Sequence, residues 1–286
     1  MSIAMDIPQE FQFSCSSDFI FLHAASVEHP SIRYSDIALY SQKLPNWLEA
    51  HKDEPHTYIL QSNNSAELCC LVAGLFLSGI PFCIVDPTWT NSQVHEATQE
   101  IPFTSFLNGR DISVLHTQWL SLIPSQKQTT HELSLIVNKT PFAFLFTSGS
   151  SSRPKRIPLR HYQLWAAYQA TQAQVQLSPN QSWGLCLPLH HIGALSIVLK
   201  SLLSHSSISL SSSSDVQHWN SWLNGWHHCR VISMVPTQLH KWLEHNRTEN
   251  ISPLVSEAFR FIILGGGPTN ASDVDEAGNL GWPILL

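Results

Sequence analysis

Hydrophobic positions along the 286 residues change period repeatedly, between apolar runs of three to five residues and stretches with an apolar residue at every third or fourth place. The runs predict buried strands and the longer period predicts helices with one apolar face. Ile37, Tyr40 and Leu44 predict a helix over 34–44, which Pro45 ends or kinks although Trp47 and Leu48 carry the apolar face beyond it. Tyr58-Ile59-Leu60 predicts a short strand. Asn64-Ser65-Ala66-Glu67 then opens a buried helix over 68–77, and a turn leads to a strand over 81–85 that stops at Asp86-Pro87. Helix, strand, helix, turn and strand in that order predict an α/β layer.

The second half repeats the alternation. After a polar helix near 93–100, an apolar stretch over 101–107 and a loosely patterned linker ending in Gln126-Lys127-Gln128-Thr129-Thr130, Phe142 to Phe146 predicts a buried strand. Helices are expected over 162–174 and 195–203, and strands over 183–187, around Ile208 and Leu210, over 231–235 and over 261–264. Trp219, Trp222, Leu223 and Trp226 share one helical face, which at that spacing belongs in a core. Residues 1–30 carry little beyond an aromatic-rich start from Phe11 to Phe21. Residues 281–286 read as the first half of a buried strand. An apolar end in mid-strand leaves backbone groups and a carboxylate without partners, so a chain cut short is expected.

Composition narrows the class. With 43% apolar residues a real core is affordable, as one large α/β domain or two smaller ones. A net charge of −6 and only 13% charged residues speak against a general nucleic-acid binder, and 16 histidines make the charge less negative towards pH 6. The six cysteines, at 15, 69, 70, 83, 186 and 229, lie mostly in apolar runs without C-x-x-C spacing. They read as reduced core residues of a cytoplasmic protein, and no metal ligands are assigned. The first ten residues lack a basic region ahead of an apolar one, unlike a signal peptide. Residues 68–85 imitate a membrane span, but Gly74, Ser78, Gly79 and Pro81 split them, so no integral membrane segment is expected.

The candidate chemistry gathers after the Phe142 to Phe146 run. Thr147-Ser148-Gly149-Ser150-Ser151-Ser152 is a loop of hydroxyls and glycine, followed by Arg153, Lys155, Arg156 and Arg160. Polyphosphate oxygens need many short donors from several directions, and Gly149 lets the main chain approach them. The competing reading is a surface turn whose basic residues face solvent. A Walker loop does not fit: Pro154 stands at its second glycine, Arg156 at its magnesium-binding hydroxyl, and Pro154 and Pro158 oppose the helix it would open.

Thr147 to Arg156 resembles instead the phosphate loop T-S-G-[ST]-[ST]-G-x-P-K-G of the acyl-adenylate-forming enzymes, which include acyl-CoA synthetases, peptide-synthetase adenylation domains and luciferases. Seven of its nine specified positions match, with Ser152 and Arg156 at two usual glycines. His161 stands where the family has a histidine opening the next helix. Gly79 to Pro87 loosely matches a further family phrase. Pro188-Leu189-His190-His191-Ile192-Gly193-Ala194 is similar to the family's L-P-L-F-H-x-x-G, with His191 on its histidine and His190 on its aromatic, for which packing is expected. Val235-Pro236-Thr237-Gln238-Leu239 most resembles the o-succinylbenzoate-CoA ligases of menaquinone synthesis, and Gly265-Gly266-Gly267-Pro268 the family's G-G-[AG]-x.

The resemblance spans roughly 30–286 and implies the first part of a large adenylation domain of layered sheets flanked by helices, without the small C-terminal domain. It divides the chain into an extension over 1–30 and two α/β subdomains over 31–140 and 141–286. It also implies ATP, Mg2+ and coenzyme A as ligands and a carboxylate substrate, o-succinylbenzoate being the nearest candidate. Thr147, Ser148, Gly149, Ser150, Ser151 and Lys155 would hold the phosphates, Lys155 and His191 would serve catalysis, Gly265, Gly266 and Gly267 would meet the adenine, and His191, Thr237 and Gln238 the acid. Three readings stay open: an acid-CoA ligase, a catalytically incomplete nucleotide-binding or assembly fragment that pairs with a missing half or forms a homo-oligomer, and an unrelated α/β protein that binds an acidic partner through 153–160.

Overall fold

The computed structural model describes residues 10–15, 19–23, 31–48, 56–101, 104–123, 131–136, 140–147, 154–179, 181–211, 219, 229–249, 260–282 and 284–286. One sheet has five strands, β4 (Thr57–Gln61), β5 (Phe82–Ile84), β6 (Thr104–Asn108), β8 (Ala143–Thr147) and β9 (Lys155–Leu159), in the order β6-β4-β5-β8-β9. All neighbours run parallel except β8 and β9, which form an antiparallel ladder. The second sheet has seven strands, in the order β14-β13-β12-β10-β11-β2-β3. These are β2 (Ile20–Leu22), β3 (Ile32–Arg33), β10 (Ser182–Leu185), β11 (Ser207–Leu210), β12 (Cys229–Met234), β13 (Phe261–Leu264) and β14 (Ile284–Leu285). A separate antiparallel pair joins β1 (Glu10–Cys15) to β7 (His131–Ile136).

Alternation along the strands builds the layers. Tyr58, Leu60, Phe82, Ile84, Ala143 and Leu145 point into the main core, whereas Ile59, Cys83, Val85, Phe144 and Phe146 point the other way against Val94 of α3 (Asn91–Thr98). The main core holds α1 (Tyr34–Trp47), α2 (Ala66–Leu77) and α6 (Ile192–Ser204) between the sheets. Beyond the seven-stranded sheet, Ile232, Met234, Ile262 and Leu264 pack on α7 (Pro236–Thr248) and α8 (Ala271–Asn279). α5 (His161–Val175) packs beside α6.

α2 is buried from Leu68 to Leu77, as befits a helix apolar on every side, and Ser65 caps it by accepting the Leu68 N–H at 3.1 Å. Its Gly74 lets α1 cross closely, since a Cβ there would lie 2.5 Å from Leu44 Cδ1. No described helix is long and apolar enough to cross a membrane. Cys69, Cys70, Cys83, Cys186 and Cys229 are buried thiols, and burial pushes Cys69, Cys186 and Cys229 up to about 12, which leaves them protonated and inert near neutral pH.

Several expectations are corrected. The first helix does not end at Pro45 but runs on to Trp47, and Ser78 Oγ, which lies 2.7 Å from the Gly74 carbonyl, lies equally close to the Ser41 carbonyl that the Pro45 nitrogen cannot serve. The linker expected before 130 contains α4 (Gly109–Leu120), whose N-cap Asn108 accepts the Arg110 and Asp111 N–H groups at 2.8 and 3.2 Å. The segment after the phosphate loop is the strand β9, with Pro158 on an edge where its missing N–H costs no ladder bond. Strand membership of the two sheets crosses positions 30 and 140. β2 and β3 belong to the seven-stranded sheet, and β8 and β9 to the five-stranded one. Trp219 is fully buried as expected, while Trp222, Leu223 and Trp226 lie outside the described residues.

Candidate active site

The carboxyl ends of parallel strands are where open α/β sheets bind ligands. The described candidate residues follow or flank such ends. In the five-stranded sheet β8 ends at Thr147, and β9 begins beside it at Lys155, the two residues facing each other in the ladder. Directly opposed residues share a face, and Thr147 has the parity of Ala143 and Leu145, so both exposed side chains lie on the side of the main core. Ser148, Gly149, Ser150 and Ser151 lie outside the described residues.

The described basic residues do not converge on one point, and Arg153 lies outside the described residues. Arg156 has the opposite parity, donating to the Glu100 carbonyl at 2.9 Å, 3.7 Å from its carboxylate and 5.5 Å from the Phe144 ring centroid. Arg160 follows Leu159, which pairs with Ala143 at the far end of the ladder. Among the described basic residues of this segment, Lys155 alone stands at the strand ends with Thr147.

β5, the neighbour of β8, leads into Asp86. The Asp86 carboxylate lies 3.7 Å from His190 Nε2, and the His190 ring lies against that of His191, centroids 4.2 Å apart and planes tilted by 51°. His190 therefore does more than the packing expected of it. Burial works to raise Asp86, but the Thr88 hydroxyl and N–H, at 2.7 and 2.8 Å, together with the two imidazoles hold it below the usual carboxylate range. Burial, with His191 beside it, lowers His190 against the pull of Asp86. His191 is the exposed N-cap of α6.

From β10 the arc continues along the seven-stranded sheet. Gln238, in the first turn of α7, accepts the Val235 N–H at 3.0 Å and reaches the Cys186 carbonyl at 3.4 Å. Its carboxamide thus ties two strand ends together, whereas Thr237 beside it is exposed. The Gly265 N–H donates to the Met234 carbonyl at 3.3 Å. Gly266 has φ +85°, and a Cβ on it would lie 3.3 Å from Val235 Cγ1. Gly265, Gly266 and Gly267 are all exposed.

Asn64, whose carboxamide bonds the Leu187 carbonyl and the Leu189 N–H, was legible only as a helix start, and Asp86 only as a turn, because Leu187, Leu189 and His190 lie more than a hundred residues away. A cleft of about 300 Å³ between α5 and α6, lined by Phe142, Leu159, Gln163, Leu195 and Lys200 among others, contains none of the candidate residues.

The model of the AMP-binding enzyme family matches residues 16–284. The chain belongs to that family. It is 24% identical over 274 residues to the 2-succinylbenzoate-CoA ligase of Bacillus subtilis (strain 168), an alignment covering 90% of this chain and 53% of that protein. Two solved structures of the Bacillus subtilis o-succinylbenzoate coenzyme A synthetase share its fold at 18% identity. The one in complex with AMP has a TM-score of 0.75 and covers 96% of this chain and 58% of that one. The one in complex with ATP and magnesium ion has a TM-score of 0.74, with 93% and 56% covered. The chain spans about half the length of the curated relatives it matches.

Proposed function

We propose that these residues form the first part of the large domain of an AMP-forming acid-CoA ligase of the o-succinylbenzoate type, and that they bind the nucleotide but need further chain to catalyse. The reaction joins a substrate carboxylate oxygen to the α-phosphorus of ATP as the bond to pyrophosphate breaks. The thiol of coenzyme A then takes the acyl carbon and AMP leaves. Lys155 and the Thr147 hydroxyl, with Ser148 to Ser151, hold the β- and γ-phosphates, where leaving-group charge grows. Mg2+ would come with the nucleotide and offset the charge of its phosphates beside Lys155 and Thr147, and no residue of this chain is assigned to it as a ligand. Gly265, Gly266 and Gly267 give the adenine a surface without side chains, while His191 and Thr237 face the acid.

One observation carries the reading: Thr147 and Lys155 meet at the carboxyl end of β8, the loop after β5 brings Asp86 to 3.7 Å from His190, and His191 and the three glycines follow the carboxyl ends of β10 and β13. The names of the relatives support the choice of acid, and the share of their length that the chain spans supports the incomplete-fragment form. The test is calorimetric titration of the 286-residue chain with Mg-ATP, beside ATP-pyrophosphate exchange with o-succinylbenzoate. Binding without exchange is expected. Absence of binding by demonstrably folded protein overturns the nucleotide assignment, and exchange by the chain alone overturns the need for more chain.

A further inference from the structure

Asn64 belongs to the five-stranded sheet's side of the molecule, between β4 and α2, yet its carboxamide is spent on the other sheet. Its Nδ2 donates to the Leu187 carbonyl at 2.6 Å, and its Oδ1 accepts the Leu189 N–H at 2.8 Å. These two groups flank Pro188, which has no N–H to give. The carboxamide thus serves the loop as a neighbouring peptide group would, with donor and acceptor in one plane. Immediately beyond, the His191 N–H donates to the Pro188 carbonyl at 3.0 Å, closing the turn that sets His191 at the head of α6. The other polar link across the two sheets here, Asp86 to His190 at 3.7 Å, is too long to orient a loop as a hydrogen bond does.

We propose that Asn64 is a positioning residue of the candidate site: its carboxamide fixes the loop between β10 and α6, and with it His191, against the strand ends that carry Thr147 and Lys155. The proposal rests on the functional reading above only for its consequence in ligand binding. No other side chain of this size serves both partners. Aspartate keeps the shape but loses the donor and sets a negative charge against the Leu187 carbonyl, and alanine loses both bonds.

The experiment follows the His190 and His191 ring resonances in proton-carbon correlation spectra of the full 286-residue chain, assigned with His191→Gln, and titrates the same samples with a non-hydrolysable acyl-adenylate analogue. In Asn64→Asp both ring resonances move, and analogue affinity falls about tenfold, the size expected when a buried partner is left unsatisfied. Ser65→Ala, which removes the adjacent cap of α2, lowers the melting temperature and leaves those resonances and the affinity in place. If Asn64→Ala fails to fold, Asn64→Asp and Asn64→Gln carry the comparison. Unmoved histidine resonances in Asn64→Asp, or an equal shift in Ser65→Ala, would overturn the proposal. Should the unaltered chain bind no analogue, the functional reading fails while the resonances still decide the role of Asn64.

Discussion

Lys155 and Arg156 are consecutive in β9 and face opposite sides of the five-stranded sheet, Lys155 with Thr147 and Arg156 with Glu100. Their substitutions should separate accordingly. Lys155→Ala is expected to weaken Mg-ATP binding at least about tenfold, a cost of about 1.4 kcal/mol or more, with little change in melting. Arg156→Ala leaves binding unchanged and lowers stability by about 0.5–1 kcal/mol, since its partner carboxylate is mostly exposed. Titration and thermal melts of both variants check this. Equal loss of binding in the two would show that they share a ligand.

The glycine turn after β13 offers a second separation. Gly266→Ala forces a side chain into φ +85° and against Val235, which should cost about 1–2 kcal/mol in a denaturant titration. Nothing lies within 4 Å of a Cβ added to Gly265, so Gly265→Ala should melt as the unaltered chain does. If the adenine rests on this turn, Gly265→Ala nevertheless weakens nucleotide binding. Unchanged affinity in that variant would remove Gly265 from the site.

Pro45 and Ser78 make a coupled pair. Ser78→Ala leaves the Ser41 carbonyl without its hydroxyl partner and should cost about 1–3 kcal/mol. Pro45→Ala restores an N–H to the last turn of α1, so the double variant should recover part of that loss. Denaturant midpoints of the four members of the cycle measure the coupling, and strict additivity would mean that the hydroxyl does not substitute for the proline's missing donor.

What could be read in the sequence follows from the range of the forces involved. The strand before Thr147 and the buried α2 were legible because period, cap and turn residues act within a few positions. α4 was hidden in polar surroundings, although Asn108, Asp111 and the spacing of Ile112, His116 and Trp119 carry a capped amphipathic pattern. The phosphate loop was legible as a motif, but the opposite facing of Lys155 and Arg156 depends on the register with β8, which a local pattern does not contain. Asn64 with Leu187 and Asp86 with His190 are contacts of the fold, invisible until both sheets exist.

The pair Asp86 and His190 gives the fold a pH dependence whose sign can be worked out. Burial and His191 lower His190 from its ordinary 6.5, so the unfolded chain binds the proton more readily there. That contribution is fully present above pH 6.5 and is lost as pH falls through the lowered value. Asp86 is likewise held below its ordinary 3.8 and adds a second loss only in stronger acid. Acidification from pH 7.5 to 5.5 therefore draws on His190 and not on Asp86. His190→Phe, which installs a ring that cannot titrate, should reduce the fall in urea midpoint between those two pH values, with the remaining histidines common to both proteins. An equal fall in both would show that His190 titrates in the folded chain as it does in the unfolded one.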